Sequence, residues 1–226
     1  MPKTALVTGA ARGIGRAAAE ALRKAGCKVI GLDSDQGGDA GDVVYDLTDI
    51  AGIGAMVEAL GAVDILVNNA GVQTAVSIDR YTEEARRRIL AVNLEAPVEL
   101  IRALSKQMVA RRSGRIVNVA SIAAYGAHTD LWYGVTKAGV VSFTRSFASY
   151  LGPQGIQVNA VAPGPVETEL LKKAQPERIA ALMKAVYTRR VGEPEEVAEA
   201  IRWLALEAPV TINGAVLDIT DGSFLR

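Results

Sequence analysis

The chain has one cysteine and one histidine among its 226 residues. Cys27 alone excludes a disulfide framework, and with His128 alone there is no cysteine- or histidine-rich zinc site. No metal is expected. Lysine plus arginine number 25, as do aspartate plus glutamate, so the formal net charge is zero. Such a balance lacks the basic surface that nucleic acid or an anionic membrane would require. No apolar run approaches the ~18 residues of a bilayer span. In MPKTALVTGA the apolar run is interrupted by Thr8-Gly9 too early to read as a signal peptide. The expectation is a cytoplasmic protein with neither a nucleic-acid nor a membrane partner.

What is present is an ordinary globular composition, half hydrophobic and 22% charged. The length suits one domain over residues 1–226. Short β-rich runs fall at 4–8, 28–32, 42–46, 63–67, 115–120, 156–161 and 215–220. Several are continuously apolar, as strands buried on both faces of a parallel sheet are. Helical periodicity fills the gaps at 13–25, 49–60, 82–112, 132–151, 177–187 and 194–207. This alternation predicts a doubly wound α/β Rossmann fold, with a mostly parallel seven-stranded sheet and helices on both faces. The Gly/Asp-rich stretch 34–42 is too short for a full helix between its flanking strands.

The first strand runs into TGAARGIG, with Gly9, Gly13 and Gly15. Glycines there permit a tight turn and close backbone approach to a pyrophosphate, which a helix N-terminus stabilises. The strand-to-helix context makes this loop a dinucleotide site, although its glycine spacing differs from G-x-G-x-x-G. Asp33 ends the second strand, where a carboxylate can accept from both ribose hydroxyls and repel a 2′-phosphate. Arg12 pulls the other way, since a guanidinium pairs with phosphate. Asp33 weighs more, so NAD is expected over NADP. Asp46 ends the third strand; it either accepts from the adenine amino group or caps the following helix.

In YGVTK, Tyr133 and Lys137 stand one helical turn apart and share a face. A tyrosine of pKa near 10 must drop by roughly 3 units, about 4 kcal/mol, to exchange protons near neutrality. An ammonium alongside favours the phenolate. Ser121 follows the strand RIVNVA at its carboxyl end, where open α/β sheets bind ligands. Asn93 precedes Pro97 by four residues. Proline offers no N–H, so in a helix the Asn93 carbonyl would lose its i+4 partner; the other account is that Pro97 starts a new helix at its first turn, where proline is tolerated.

Together TGAARGIG, YDL (45–47), NNAG (68–71), Asn93, Ser121, YGVTK and PGPVET (163–168) resemble the short-chain dehydrogenase/reductase family, in family order and over essentially the whole chain. The resemblance implies an NAD(P)-dependent oxidoreductase acting on a secondary alcohol or ketone. It implies Tyr133 as acid/base, Ser121 as the group orienting the substrate oxygen, Lys137 as ribose ligand and modulator of Tyr133, and Asn93 as holder of a water. It implies cofactor contacts from Gly9, Arg12, Gly13, Ile14, Gly15, Asp33, Asp46, Leu47, Asn69, Ala70, Gly71, Tyr133, Lys137, Pro163, Gly164, Val166 and Thr168. A homo-oligomer, most often a tetramer, is implied too, through the apolar helical faces of 94–110 and 132–151.

Two stretches depart from the family pattern. Ser121 and Tyr133 are 12 apart in sequence, one fewer than usual. The C-terminal TDGS (220–223) replaces the usual Asp-Gly-Gly, a change expected to touch the final strand and a subunit contact. The substrate lobe, 169–190, is short. Gln73, Tyr125, His128, Trp132, Leu170 and Tyr187 are candidate pocket residues. Substrates left open are a small alcohol or ketone, a dihydrodiol, a polyol and a 3-oxoacyl thioester. Two other readings compete: a catalytically silent dinucleotide-binding regulator and a methyltransferase. Neither has a use for YGVTK.

Overall fold

The computed structural model describes residues 2–35, 42–74, 76, 78–172 and 176–225. Within them, seven strands form one sheet: β1 (Thr4–Thr8), β2 (Lys28–Asp33), β3 (Val43–Val44), β4 (Ile65–Asn68), β5 (Gly114–Val119), β6 (Ile156–Pro163) and β7 (Val216–Ile219). Their order is β3-β2-β1-β4-β5-β6-β7. Every pairing is parallel. Chain direction across the sheet reverses between β1 and β4, which places the ligand crevice at their carboxyl ends. Asp33, Asn69, Ser121 and Gly164 all lie at or just past strand carboxyl ends on that side.

The helices are α1 (Gly13–Lys24), α2 (Ile53–Leu60), α3 (Glu83–Leu90), α4 (Ala96–Arg111), α5 (Leu131–Leu151), α6 (Glu169–Lys172), α7 (Pro176–Ala185) and α8 (Pro194–Leu206). On one face α1 and α8 close a core with Val7, Ala18, Leu22, Val67, Ile201 and Leu204. On the other, α2, α4 and α5 pack Leu6, Leu32, Val57, Leu66, Leu104 and Leu151. β6 is buried from end to end, as its continuous apolar run anticipates.

Two elements differ from expectation. The third strand covers two residues, not 42–46. The Asp42 carboxylate accepts from the Gly31 N–H at 2.7 Å, so a side chain occupies the place of a ladder bond. Past Tyr45 the chain turns away, because Asp46 Oδ1 accepts from Thr48 N–H at 2.9 Å. The helix expected at 82–112 is instead α3 and α4 joined by a π-helical turn, Ala91–Glu95. Pro97 cannot donate to the Asn93 carbonyl, and the ladder shifts by one residue: the Ala96 N–H bonds Ala91 O. Among the described residues, no helix is long and apolar enough to cross a membrane.

Candidate active site

The Gly-rich turn is shaped by the segment beside it. Gly9 and Gly13 both take positive φ, +66° and +55°, a region costly for other residues. The Asn69 amide donates to the carbonyls of Thr8 and Gly9, at 2.9 and 3.2 Å. Thr8 Oγ1 accepts from the N–H groups of Asn69 and Ala70, each at 3.0 Å. Asn69 thus holds the loop through its own amide. At Gly15 a Cβ would stand 2.1 Å from Gly9 O and 2.4 Å from Asn69 Nδ2. Thr168 lies against Gly13, its methyl 3.3 Å from where a Cβ would sit. The PGPVET segment is thereby brought onto the loop. The room the glycines leave is taken up by Gly9 O, the Asn69 amide and the Thr168 methyl, and a tight glycine-rich turn opening a helix suits a dinucleotide pyrophosphate.

Gly15→Ala forces that backbone apart. Overpacking of this kind costs roughly 1–3 kcal/mol. Dinucleotide affinity is expected to fall at least roughly tenfold by fluorescence titration with NADH. An affinity within twofold of wild type would show the close approach to be unimportant.

At the end of β2, Asp33 Oδ2 accepts from the Ala11 N–H at 3.0 Å and Oδ1 from the Asp35 N–H at 3.3 Å. Arg12 pairs with Asp35 at 2.7 Å, both side chains largely exposed. Asp46 is exposed; its carboxyl is held below the usual range, foremost by the Thr48 backbone bond. That bond caps the turn before α2, whose own N-terminus is at Gly52. Leu47 is buried in the core. Ile14 packs partly buried against the other core.

Asp130 caps α5, accepting from the Tyr133 N–H at 3.1 Å. Tyr133 is buried with Ile89 and Ala123 and packs against Val72 and Trp132. Lys137 Nζ lies 5.6 Å from the centre of the Tyr133 ring and donates to Val119 O at 2.7 Å. Burial lowers Lys137 from 10.5 to about 8. Its ammonium is therefore a conditional charge, half lost at about pH 8. Gly71 leaves room here: a Cβ would stand 3.6 Å from both Lys137 Nζ and Asn93 Oδ1.

Ser121 adopts an extended conformation, and its Oγ accepts from the Ala123 N–H at 3.2 Å. A hydroxyl accepting in this way keeps its O–H to donate. The Asn93 side chain is engaged on all sides. Its Oδ1 accepts from Val72 N–H at 2.8 Å, and Nδ2 donates to Val72 O at 2.9 Å and Thr136 Oγ1 at 3.2 Å. Its backbone carbonyl is the group that Pro97 deprives of an i+4 donor.

Lys137 thus joins the Tyr133 ring to the end of β5, two residues before Ser121, and Gly71 lies against both Lys137 Nζ and Asn93 Oδ1. Pro163 ends β6, Gly164 packs against Thr220 and Ser223, and Val166 bridges to Gly192. Ser223 Oγ donates to Thr220 O at 2.7 Å within the TDGS turn, and the same Oγ would stand 2.9 Å from a Cβ at Gly164, so TDGS packs on this chain's own PGPVET segment. The His128 ring lies tilted against Tyr133, centroids 5.1 Å apart, and Arg86 lies 5.8 Å from the Trp132 ring centre. Tyr125 stacks on Phe224, while Tyr187 is exposed against Gly222. Gln73 is half-buried. The Leu170 side chain and residues 173–175 of the lobe lie outside the described residues.

Sequence reasoning missed a buried frame behind the site. Asn68 Nδ2 donates to Asn118 Oδ1 and Asn118 Nδ2 to Thr144 Oγ1, both at 2.9 Å, tying β4, β5 and α5 together. It also missed Thr8 and Asp130. For Asp130 the signal existed: an acidic residue directly before an apolar-periodic run marks a helix start.

Residues 9–223 match a family model described as enoyl-(acyl carrier protein) reductase. The chain is 36% identical to the 3-oxoacyl-[acyl-carrier-protein] reductase FabG of Vibrio harveyi and 34% to that of Escherichia coli, each over 99% of this chain and 98% of the relative. A Brucella melitensis 3-oxoacyl-[acyl-carrier protein] reductase with bound NAD superposes with TM-score 0.90, 32% identity and coverage of 99% and 92%. A Beutenbergia cavernae protein assigned as an NAD(P)-dependent gluconate 5-dehydrogenase, with NADP at low occupancy, gives TM-score 0.93, 34% identity and coverage of 98% and 96%. The chain therefore belongs to the short-chain dehydrogenase/reductase family and is an NAD(P)-dependent oxidoreductase interconverting a secondary alcohol and a ketone by hydride transfer.

Proposed function

We propose that Tyr133 exchanges the proton with the substrate oxygen while the Ser121 hydroxyl holds that oxygen. The observation that carries this reading is the buried Lys137 Nζ over the Tyr133 ring, at 5.6 Å, beneath the carboxyl end of β5. Bound NAD(P)H supplies the hydride. In the reductive direction, Tyr133 delivers its phenolic proton as the carbonyl oxygen gains charge. The Ser121 O–H donates to the same oxygen and fixes its position. Lys137, when protonated, stabilises the phenolate left behind. The Asn93 carbonyl, without an N–H from Pro97, holds a water that returns the proton. Gly9, Gly13, Ile14 and Gly15 with Thr168 cradle the pyrophosphate. Asn69, Ala70, Gly71, Pro163, Gly164 and Val166 line the nicotinamide side, and Asp46 and Leu47 the adenine.

The cofactor is NAD in this reading. Asp33 stands at the ribose position and Asp35 neutralises Arg12 at 2.7 Å, so a 2′-phosphate would meet two carboxylates and one guanidinium already paired. The substrate is a 3-oxoacyl thioester, supported by the names of the curated relatives. The protein works in the cytoplasm as a homotetramer; exposed Leu131 and Val135 on α5 and Leu217 on β7 supply apolar surface for subunit contact.

The test follows NADH and NADPH absorbance with acetoacetyl-CoA and 5-keto-D-gluconate, in wild type and Asp33→Ala. Expected is faster turnover of acetoacetyl-CoA and an NADH preference. In Asp33→Ala the NADH:NADPH ratio of kcat/KM should fall roughly tenfold or more, the loss of a charged hydrogen-bond acceptor. Loss of the Ala11 contact affects both cofactors, which is why the ratio is read. A wild-type preference for NADPH overturns the cofactor assignment, and a preference for the sugar ketone overturns the substrate.

A further inference from the structure

Asp130 does more than a helix cap needs. A cap requires one oxygen, and Asp130 Oδ1 serves it at the Tyr133 N–H. The same carboxylate, 1% exposed, also accepts from the Thr74 N–H at 2.8 Å. Thr74 Oγ1 lies 2.9 Å from its Oδ2, and the Tyr81 hydroxyl donates to its Oδ1. Thr74 Oγ1 is also 2.7 Å from the Tyr81 oxygen. These partners come from the segment that follows NNAG, not from α5.

Two residues back, that segment is gripped again. Val72 exchanges two hydrogen bonds with the Asn93 side chain. Asn93 reaches Thr136, whose Oγ1 donates to Tyr133 O at 2.9 Å. Residues 72–74 are thus fastened to the start of α5 at both ends, through Asn93 to Thr136 in its second turn and directly to Asp130 at its N-cap. Tyr133 stands between the two fastenings. The Asp130 backbone adds a third hold: its N–H donates to His128 Nδ1 at 3.1 Å, and the His128 ring lies tilted against Tyr133.

We propose that Asp130 is a positioning residue that locks the cleft wall at 72–74 and the Tyr133 turn into one unit, so that the phenol meets the substrate oxygen. This rests on the role given to Tyr133 above. A buried carboxylate receiving donors from two elements fixes their separation, since either shift leaves a buried donor unpaired. Small displacements at a reacting centre are costly: about 1 Å can lose roughly a hundredfold in rate.

The test compares Asp130→Ser, Tyr81→Phe and Tyr133→Phe, with acetoacetyl-CoA and NADH as probes. Serine is a good N-cap but has one oxygen, so it keeps the cap and abandons Thr74 and Tyr81. Expected for Asp130→Ser is a kcat lower by roughly tenfold to a hundredfold, with the KM for NADH within twofold of wild type. Tyr81→Phe, which leaves the cap untouched, should lower kcat several-fold with the same unchanged KM, and it carries the test should Asp130→Ser not fold. Wild-type kcat in Asp130→Ser, with only a lower melting temperature, reduces Asp130 to a cap and overturns the proposal; so does wild-type kcat in Tyr81→Phe. Those outcomes alongside an inactive Tyr133→Phe leave the proton donor assigned. An active Tyr133→Phe overturns both.

Discussion

Tyr133→Phe is expected to lose on the order of 10²- to 10⁴-fold in kcat, the usual contribution of a positioned general acid, while the fold stays intact. The substitution removes one hydroxyl. The ring that packs on Ile89, Ala123 and Trp132 remains, so the buried contacts of this cluster survive. Binding of NADH should also survive, because the Gly-rich turn is held by Thr8 and Asn69, not by Tyr133. The measurement is turnover of acetoacetyl-CoA and of a broad ketone panel, with NADH affinity and melting temperature recorded on the same sample. Turnover near the wild-type rate, with cofactor still bound, would remove Tyr133 from the chemistry. Lost turnover with lost binding would indicate a disrupted site instead.

Lys137→Met separates what the ammonium does for catalysis from what its burial does to stability. Methionine is a similar length and apolar. Activity should fall by about a hundredfold or more, because the phenolate loses its cation. Stability should not fall in step. Burial depresses Lys137 to about 8 in the folded protein, against roughly 10.4 for an unfolded lysine. Below pH 8 both states are protonated and the desolvation cost is borne in full. Between about pH 8 and 10.4 the unfolded chain binds more protons than the folded one, so this group makes stability rise with pH. Urea unfolding at pH 7, 8, 9 and 10 should show a rise in wild type exceeding that in Lys137→Met. Equal slopes would mean that Lys137 is not buried as a charge. For catalysis the sign reverses. Ketone reduction needs both the phenol proton and the ammonium, so wild-type kcat/KM should decline as pH passes about 8.

Much of this was legible because the informative residues are local. A tight strand-to-helix turn needs glycine where φ is positive or backbone approaches closely, as at Gly9, Gly13 and Gly15, so these three could be read directly. A phenol and an amine one turn apart share a helical face by geometry alone, so Tyr133 and Lys137 could be paired before any tertiary contact was known. Seven strands and the βα alternation followed from apolar runs and their periodicity. The shortfalls arose where side chains replace backbone partners. Asp42 satisfies Gly31 and shortens the third strand. Pro97 shifts the hydrogen-bond ladder and divides one expected helix with a π turn. The missing N–H of Pro97 was readable; that the ladder would slip by one residue, with the Asn93 side chain clamped to Val72, was not.

The amino-acid sequence by itself determined the Gly-rich turn and the Tyr133–Lys137 spacing, since each depends on residues within one or two turns of chain, and the βα alternation, since that follows from apolar runs and their periodicity. The tertiary structure alone decided three things. It drew Asp130 onto Thr74 and Tyr81, 56 and 49 residues away. It engaged the Asn69 amide with the loop across 61 and 60 residues. It buried the Lys137 ammonium deeply enough to make its charge depend on pH. Burial and long-range hydrogen bonds depend on which elements the sheet order brings together, and no local spacing encodes that.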